Sequence, residues 1–122
     1  MRWLVDAMNV IGSRPDGWWR DRQGAVRRLL DELDAYAAAT GEEITVVLDA
    51  GPAERRPGLE VVVAPTRGRD AADDEIARRL AADREPATVT VVTSDGELAR
   101  RARELGAPVE GAATFRDRLS GA

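Results

Sequence analysis

Apolar positions along this chain fall into two alternating patterns. The first is a set of short runs. Leu4 and Val5 follow Trp3 and stop at Asp6; residues 44–48 are apolar and β-branched and lead into Asp49-Ala50-Gly51-Pro52; residues 59–64 are closed by Pro65; residues 88–93 and 108–110 complete the set. Short apolar runs bounded by turn residues predict buried strands. The second pattern has helical spacing. Over residues 23–40, Val26, Leu29, Leu30, Leu33, Tyr36 and Ala37 line one face, and Gly41 stops the helix. Residues 71–82 place Ala72, Ile76, Ala77 and Leu80 together, residues 97–105 place Leu98, Ala102 and Leu105 together, and residues 113–119 form a terminal helix. The order β-α-β-β-α-β-α-β-α predicts an α/β fold, a parallel sheet covered by helices on both faces. No repeat or internal linker divides the chain, so one domain is expected over residues 1–122, with residues 120–122 frayed.

Composition narrows the chemistry. Apolar residues make up 43% of the 122 positions, enough for a packed core. No apolar run approaches the roughly 20 residues of a membrane helix, and no basic-then-apolar leader opens the chain, so no membrane partner and no signal peptide are expected. With no cysteine, disulfides, thiolate metal sites and cysteine nucleophiles are excluded, which suits a cytoplasmic protein. With no histidine, the serine–histidine triad and the HExxH zinc site are excluded as well. Catalysis is left to carboxylates, arginine, hydroxyls or a bound hard metal. The net charge of −4, from 22 acidic and 18 basic residues, argues against a general nucleic-acid coat unless cations bridge the two or arginines cluster.

In open α/β sheets, ligands bind beyond the carboxyl ends of the strands. Asp6, Asp49 and Asp95 each end a predicted strand here, and Asp73 and Asp74 open the helix before the fourth strand. Crowded carboxylates repel unless protons or cations intervene, and an oxygen-only donor set selects Mg2+ or Mn2+. Such an ion activates water and neutralises a phosphodiester. Each residue also has a plainer role. Asp6 caps the next turn, and Asn9 is either a turn residue or an organiser of water or phosphate. Asp95 or Ser94 caps a helix. Asp73, Asp74 and Glu75 suit a helix dipole. Asp49 is evenly a ligand or a loop residue, and Asp70 is expected as an N-cap. Arg67 and Arg69 are solvated or pair with RNA phosphates. Arg14, Arg20 and Arg22 frame a loop holding Trp18 and Trp19, one expected to pack inward and the other to stand free for base stacking. The arginines at 100, 101 and 103 read as a solvated helix face.

Three stretches together resemble a known family. Val5-Asp6-Ala7-Met8-Asn9-Val10-Ile11-Gly12 resembles the opening Asp-x-x-Asn motif of NYN domains, members of the PIN-like nuclease superfamily. Arg69-Asp70-Ala71-Ala72-Asp73-Asp74-Glu75-Ile76 resembles their central Ala-Asp-Asp-x-Ile helix motif, and Val91-Val92-Thr93-Ser94-Asp95-Gly96-Glu97-Leu98 their third motif. The YacP-like bacterial branch matches best, in the right order and over nearly the whole chain. The resemblance implies a PIN-like three-layer α/β/α sandwich with strand order 3-2-1-4-5. It also implies Mg2+- or Mn2+-dependent cleavage of RNA. By motif position, Asp6, Asp73 and Asp95 would bind metal, Asp74 would support them, Asn9 would organise the site, and Asp49 would match an acidic position ending the second strand. Many relatives carry further acids after the third-motif aspartate, where Gly96 and Glu97 stand here.

An endoribonuclease acting by a metal-activated water is therefore the leading expectation, with RNA as partner and no DNA specificity. The thin third motif motivates a second reading, a non-catalytic module that binds RNA or associates with ribosomes. A third is a phosphohydrolase of small phosphoesters.

Overall fold

In the computed structural model, which describes residues 1–121, five strands form an all-parallel sheet in the order β3-β2-β1-β4-β5. The strands are β1 (Arg2–Asp6), β2 (Glu43–Leu48), β3 (Leu59–Val63), β4 (Val89–Val92) and β5 (Val109–Glu110). The helices are α1 (Ala7–Gly12), α2 (Arg22–Thr40), α3 (Ala71–Ala82), α4 (Gly96–Glu104) and α5 (Ala112–Leu119). Three strands sit in one register, with Val5 facing Val46 on one side and Val92 on the other.

Alternation along each strand sorts side chains onto two faces. Trp3 and Val5, Ile44, Val46 and Leu48, and Val92 point toward α1, α2 and α5, where they meet Val10, Leu29, Leu33 and Phe115. Leu4, Val47, Val89 and Val91 point the other way, onto Ile76 and Leu80 of α3 and Leu98 and Ala102 of α4. The central strands are apolar on both faces because helices cover both, and this gives the three-layer α/β/α sandwich.

The sequence pattern misses α1, whose six residues are too few for a period to show. Its three buried side chains, Ala7, Val10 and Ile11, still keep the three-and-four spacing. Trp18–Arg20 form a 3-10 turn before α2. That helix starts on Asp21, which accepts a hydrogen bond from the Gly24 amide at 3.0 Å. It ends at Gly41, whose positive φ of 73° lets its amide reach the Ala37 carbonyl at 2.8 Å. Asp21→Ala is expected to cost about 1 kcal/mol, or roughly 4 °C in Tm, and urea unfolding measures it. At the far end, the Ser120 and Gly121 amides bond back to Arg116 and Arg118, so these two residues cap α5 rather than fray. Ala122 lies outside the described residues.

No helix among the described residues is long and apolar enough to cross a membrane.

Candidate active site

The carboxyl ends of β1, β2 and β4 meet the first turn of α3 around a cleft of about 450 Å3. Six carboxylates line it, those of Asp6, Asp49, Asp70, Asp73, Asp95 and Glu97, against one guanidinium, Arg69. Met8, Asn9 and Ala72 complete the wall.

Asp6 lies at the floor. It ends the central strand, where the parallel register buries it to 5% exposure. Burial pushes its carboxyl up to about 7, helped by the charges of Asp73 and, more weakly, Asp95. The Thr93 hydroxyl, which donates to Asp6 Oδ2 at 3.2 Å, and the backbone N–H of Asn9 oppose the rise. Asp73, in the first turn of α3, is raised to about 6, first by burial and then by Asp95 and Asp70. Two carboxyls are thus raised toward neutral pH in a solvent-reached cleft, and among the described residues no arginine pairs with Asp6.

Hydrogen bonds fix the end of β4 beside them. The Ser94 amide donates to Asn9 Oδ1 at 2.6 Å, and the Asp95 amide to Thr93 Oγ1 at 3.1 Å. Ser94 Oγ in turn accepts from the Ala112 amide at 2.8 Å, tying the turn to α5. Asp95 is the N-cap of α4. Its Oδ1 accepts from the amides of Glu97 at 2.9 Å and Leu98 at 3.0 Å, and Oδ2 makes no such bond. Capping and facing the cleft are compatible for this side chain.

Several expectations change. Asp74 does not line the cleft: its neighbour Asp73 turns inward, and Asp74 pairs with Arg101 at 2.9 Å on the outer side of α3. Adjacent helical residues point about 100° apart, so Asp73 faces the cleft while Asp74 faces Arg101. Glu75 is buried and serves the fold. Hydrogen bonds from Arg78 at 2.6 Å and Arg79 at 2.9 Å hold its carboxyl below the usual range. Asp70 occupies the N-cap position but makes no capping bond, and lines the cleft instead. Asp49 reaches the cleft while paired with Arg22 of α2. Glu97 lines the cleft too, with Arg100 holding it ionised.

The structure also sorts the expected RNA contacts. Arg14 is taken up by Glu32, in two bonds of 2.8 and 2.9 Å, and is not in the cleft. Trp18 packs against the core beside α2, so it is not free to stack on a base. Trp19 is 63% exposed, edge-on to Trp18, with Arg20 over its ring. It does not line the cleft. Arg69 does, and Arg67 stands in the adjoining groove.

Thr93 escaped the sequence reading. It is a buried polar residue that joins Asp6 to the Asp95 turn, and its only signal is a hydroxyl ending an apolar strand. A groove at the opposite edge of the sheet, lined by Arg2, Thr45, Glu60, Arg78 and Arg79, contains mutually paired charges.

The donor chemistry fits a hard divalent cation, being all oxygen and short of positive charge. Among the described residues no three carboxylates stand close enough together to hold an ion alone. Mg2+ does not require three. It commonly takes one or two carboxylates and completes its shell with water and substrate phosphate.

A family model described as the YacP-like NYN domain matches residues 3–122. The crystal structure of Rae1 (YacP) from Bacillus subtilis superposes with a TM-score of 0.82 at 24% identity, covering 99% of this chain and 74% of that one. A single-substitution mutant of the same protein gives 0.80 at 26% identity, covering 99% and 75%. Comparison with curated proteins gave no match.

Proposed function

The chain belongs to the YacP-like NYN domain family, within the PIN-like nuclease superfamily, and from that premise we propose that it is a Mg2+- or Mn2+-dependent endoribonuclease. The observation that carries this reading is the gathering of Asp6, Asp73 and Asp95 in one cleft at the carboxyl ends of the strands, lined by six carboxylates against one arginine. A carboxyl pushed up to about 7 at the end of the central strand, facing a second raised to about 6, weakens the fold unless a cation joins it. Perturbed acids of this kind, gathered in a cleft, mark functional sites.

Asp6 and Asp73 would hold the cation, with the unbonded Oδ2 of Asp95 beside them. Once bound, a divalent cation lowers the pKa of water and neutralises charge on a phosphodiester. The protein's own groups do the rest. Thr93 and Asn9 fix the Asp95 turn against the end of β1, so the acids keep their relative places without a ligand. The Asn9 side-chain Nδ2, which donates no hydrogen bond among the described residues, is a donor suited to a phosphate oxygen. Asp74 and Arg14 have no part in the reaction.

RNA is the substrate of this reading and the cytoplasm its place. A non-catalytic RNA- or ribosome-binding module is the second reading, favoured by the lack of a closed three-carboxylate cage. Incubation of purified protein with RNA separates the two. Internal cuts that require Mn2+ or Mg2+ and stop with EDTA are expected. Tight RNA binding with intact RNA after long incubation would leave only the binding module.

A further inference from the structure

The acid cleft opens sideways into a groove of about 710 Å3, between the turn after β2 and the segment joining β3 to α3. Asp49 and Arg69 line both, so the two lie side by side with these residues at their common border. Val63, Ala64 and Pro65 give the groove a small apolar side, and Arg67 and Arg69 give it a basic one.

Charge sets these two arginines apart. A phosphate chain approaching the cleft meets six carboxylates on a protein of net charge −4. The other arginines around the cleft are engaged: Arg22 with Asp49, Arg101 with Asp74, and Arg100 with Glu97 and Glu104. Arg67 and Arg69 are exposed, and neither forms an ion pair among the described residues. A guanidinium with its donor fork free is a ready phosphate ligand.

Gly68, between them, has a φ of +115°, which disfavours any side chain there. Its carbonyl accepts the Ala71 amide at 3.2 Å, fastening the arginine loop to the first turn of α3. The same turn carries Asp73. The backbone that carries the two arginines is therefore anchored beside the acids.

We propose that this groove is the track along which single-stranded RNA enters the acid cleft, with Arg67 and Arg69 holding phosphates next to the one that is cut. The proposal rests on the ribonuclease reading of the cleft. A single strand is specified because the floor residue, Asp6, is only 5% exposed. A flexible strand can bend down to it between two loops, whereas a stiff A-form duplex cannot. The small apolar side leaves space for a sugar or a splayed base.

Fluorescence anisotropy with a labelled single-stranded RNA, across a range of KCl and with Ca2+ replacing Mg2+, tests the track. Wild type should bind the single strand more tightly than the matching duplex. The double variant Arg67→Ala/Arg69→Ala should bind about tenfold more weakly, and its slope of log K on log salt should flatten by about 1.4, roughly 0.7 per lost phosphate contact. Its Tm should stay at the wild-type value. A remote pair, Arg84→Ala/Arg103→Ala, should leave both affinity and slope unchanged.

An unchanged slope in the first variant, an equal loss in the remote pair, preference for duplex, or no RNA binding by wild type each overturns the track. Arginine-dependent binding without any cleavage removes the ribonuclease reading and leaves the track. Cleavage with an unaltered slope does the reverse.

Discussion

Asp6→Asn is expected to cut RNA cleavage at least ~100-fold and, at the same pH of 7.5, to make the protein more stable. The two effects share one cause. Asp6 is a carboxylate kept out of water beside Asp73, so its charge is unfavourable in the folded chain until a cation compensates it. Asparagine has nearly the same shape and carries no charge. It retains an oxygen to accept a hydrogen bond at the end of β1 and removes the repulsion, but it is a far poorer ligand for a hard cation.

The sign follows from linkage. The folded pKa of Asp6 lies near 7, above its ordinary 3.8. Between those values the folded chain binds more protons than the unfolded one, so stability falls as pH rises. The contribution is fully present below pH 4 and is lost as pH climbs through 7. The whole rise, at about 1.4 kcal/mol per pH unit, sets a ceiling of about 4 kcal/mol. Because Asp73 shares the repulsion and water reaches the cleft, about 2 kcal/mol is expected. Urea unfolding across pH 4 to 8 measures it. The stability difference between variant and wild type should vanish at the acid end and reach a plateau above pH 7. Wild-type cleavage in the variant, or a variant less stable than wild type at pH 7.5, would refute the role given to Asp6.

How much of this could be read from the sequence depends on how local each cause is. The strand ends were legible, because an apolar run that stops at an acid announces both its burial and its edge; Asp6 and Asp95 follow from that alone, and the inward face of α3 follows from its helical spacing. The strand order came from the resemblance, since the pattern by itself fixes only a parallel sheet. What was illegible falls into two kinds.

Some errors lay in local geometry. Asp70 precedes a helix and reads as its cap, yet its φ of −103° and ψ of 12° lie outside the extended region a capping residue uses. Its carboxylate therefore turns to the cleft. Asp73 and Asp74 read as a pair, but the helix sends the second to Arg101. Other causes lay far along the chain. Arg22 and Asp49 are 27 residues apart, and Arg14 meets Glu32 across 18. No spacing rule shows which arginine an acid will find. That information is also what separates Arg67 and Arg69 from the paired arginines around the cleft, and it turns their even choice between solvent and phosphate into the proposed RNA track.

A divalent cation should reverse the pH dependence that Asp6 and Asp73 impose. Without it, ionising these acids weakens the fold as pH rises toward 7. With it, ionised carboxylates are the binding form, so protons and cation compete for the same oxygens. At a concentration one hundred times its dissociation constant, Mn2+ should stabilise the protein by about 2.7 kcal/mol, in full above pH 7 and progressively less below pH 6, the folded value of Asp73. Thermal unfolding with Mn2+ and with EDTA across pH 5 to 8 reads this directly. Calorimetric titration near pH 6.5 should show proton release, as a binding heat that changes with the ionisation enthalpy of the buffer. Asp73→Asn should lose most of the stabilisation at every pH, because Asp6 would be left without its partner carboxylate. Asp74→Asn should lose none, since its carboxylate faces Arg101 rather than the cleft. Equal Mn2+ stabilisation in wild type and Asp73→Asn would place the ion elsewhere. No stabilisation at any pH would mean that these acids do not form a cation site in the free protein.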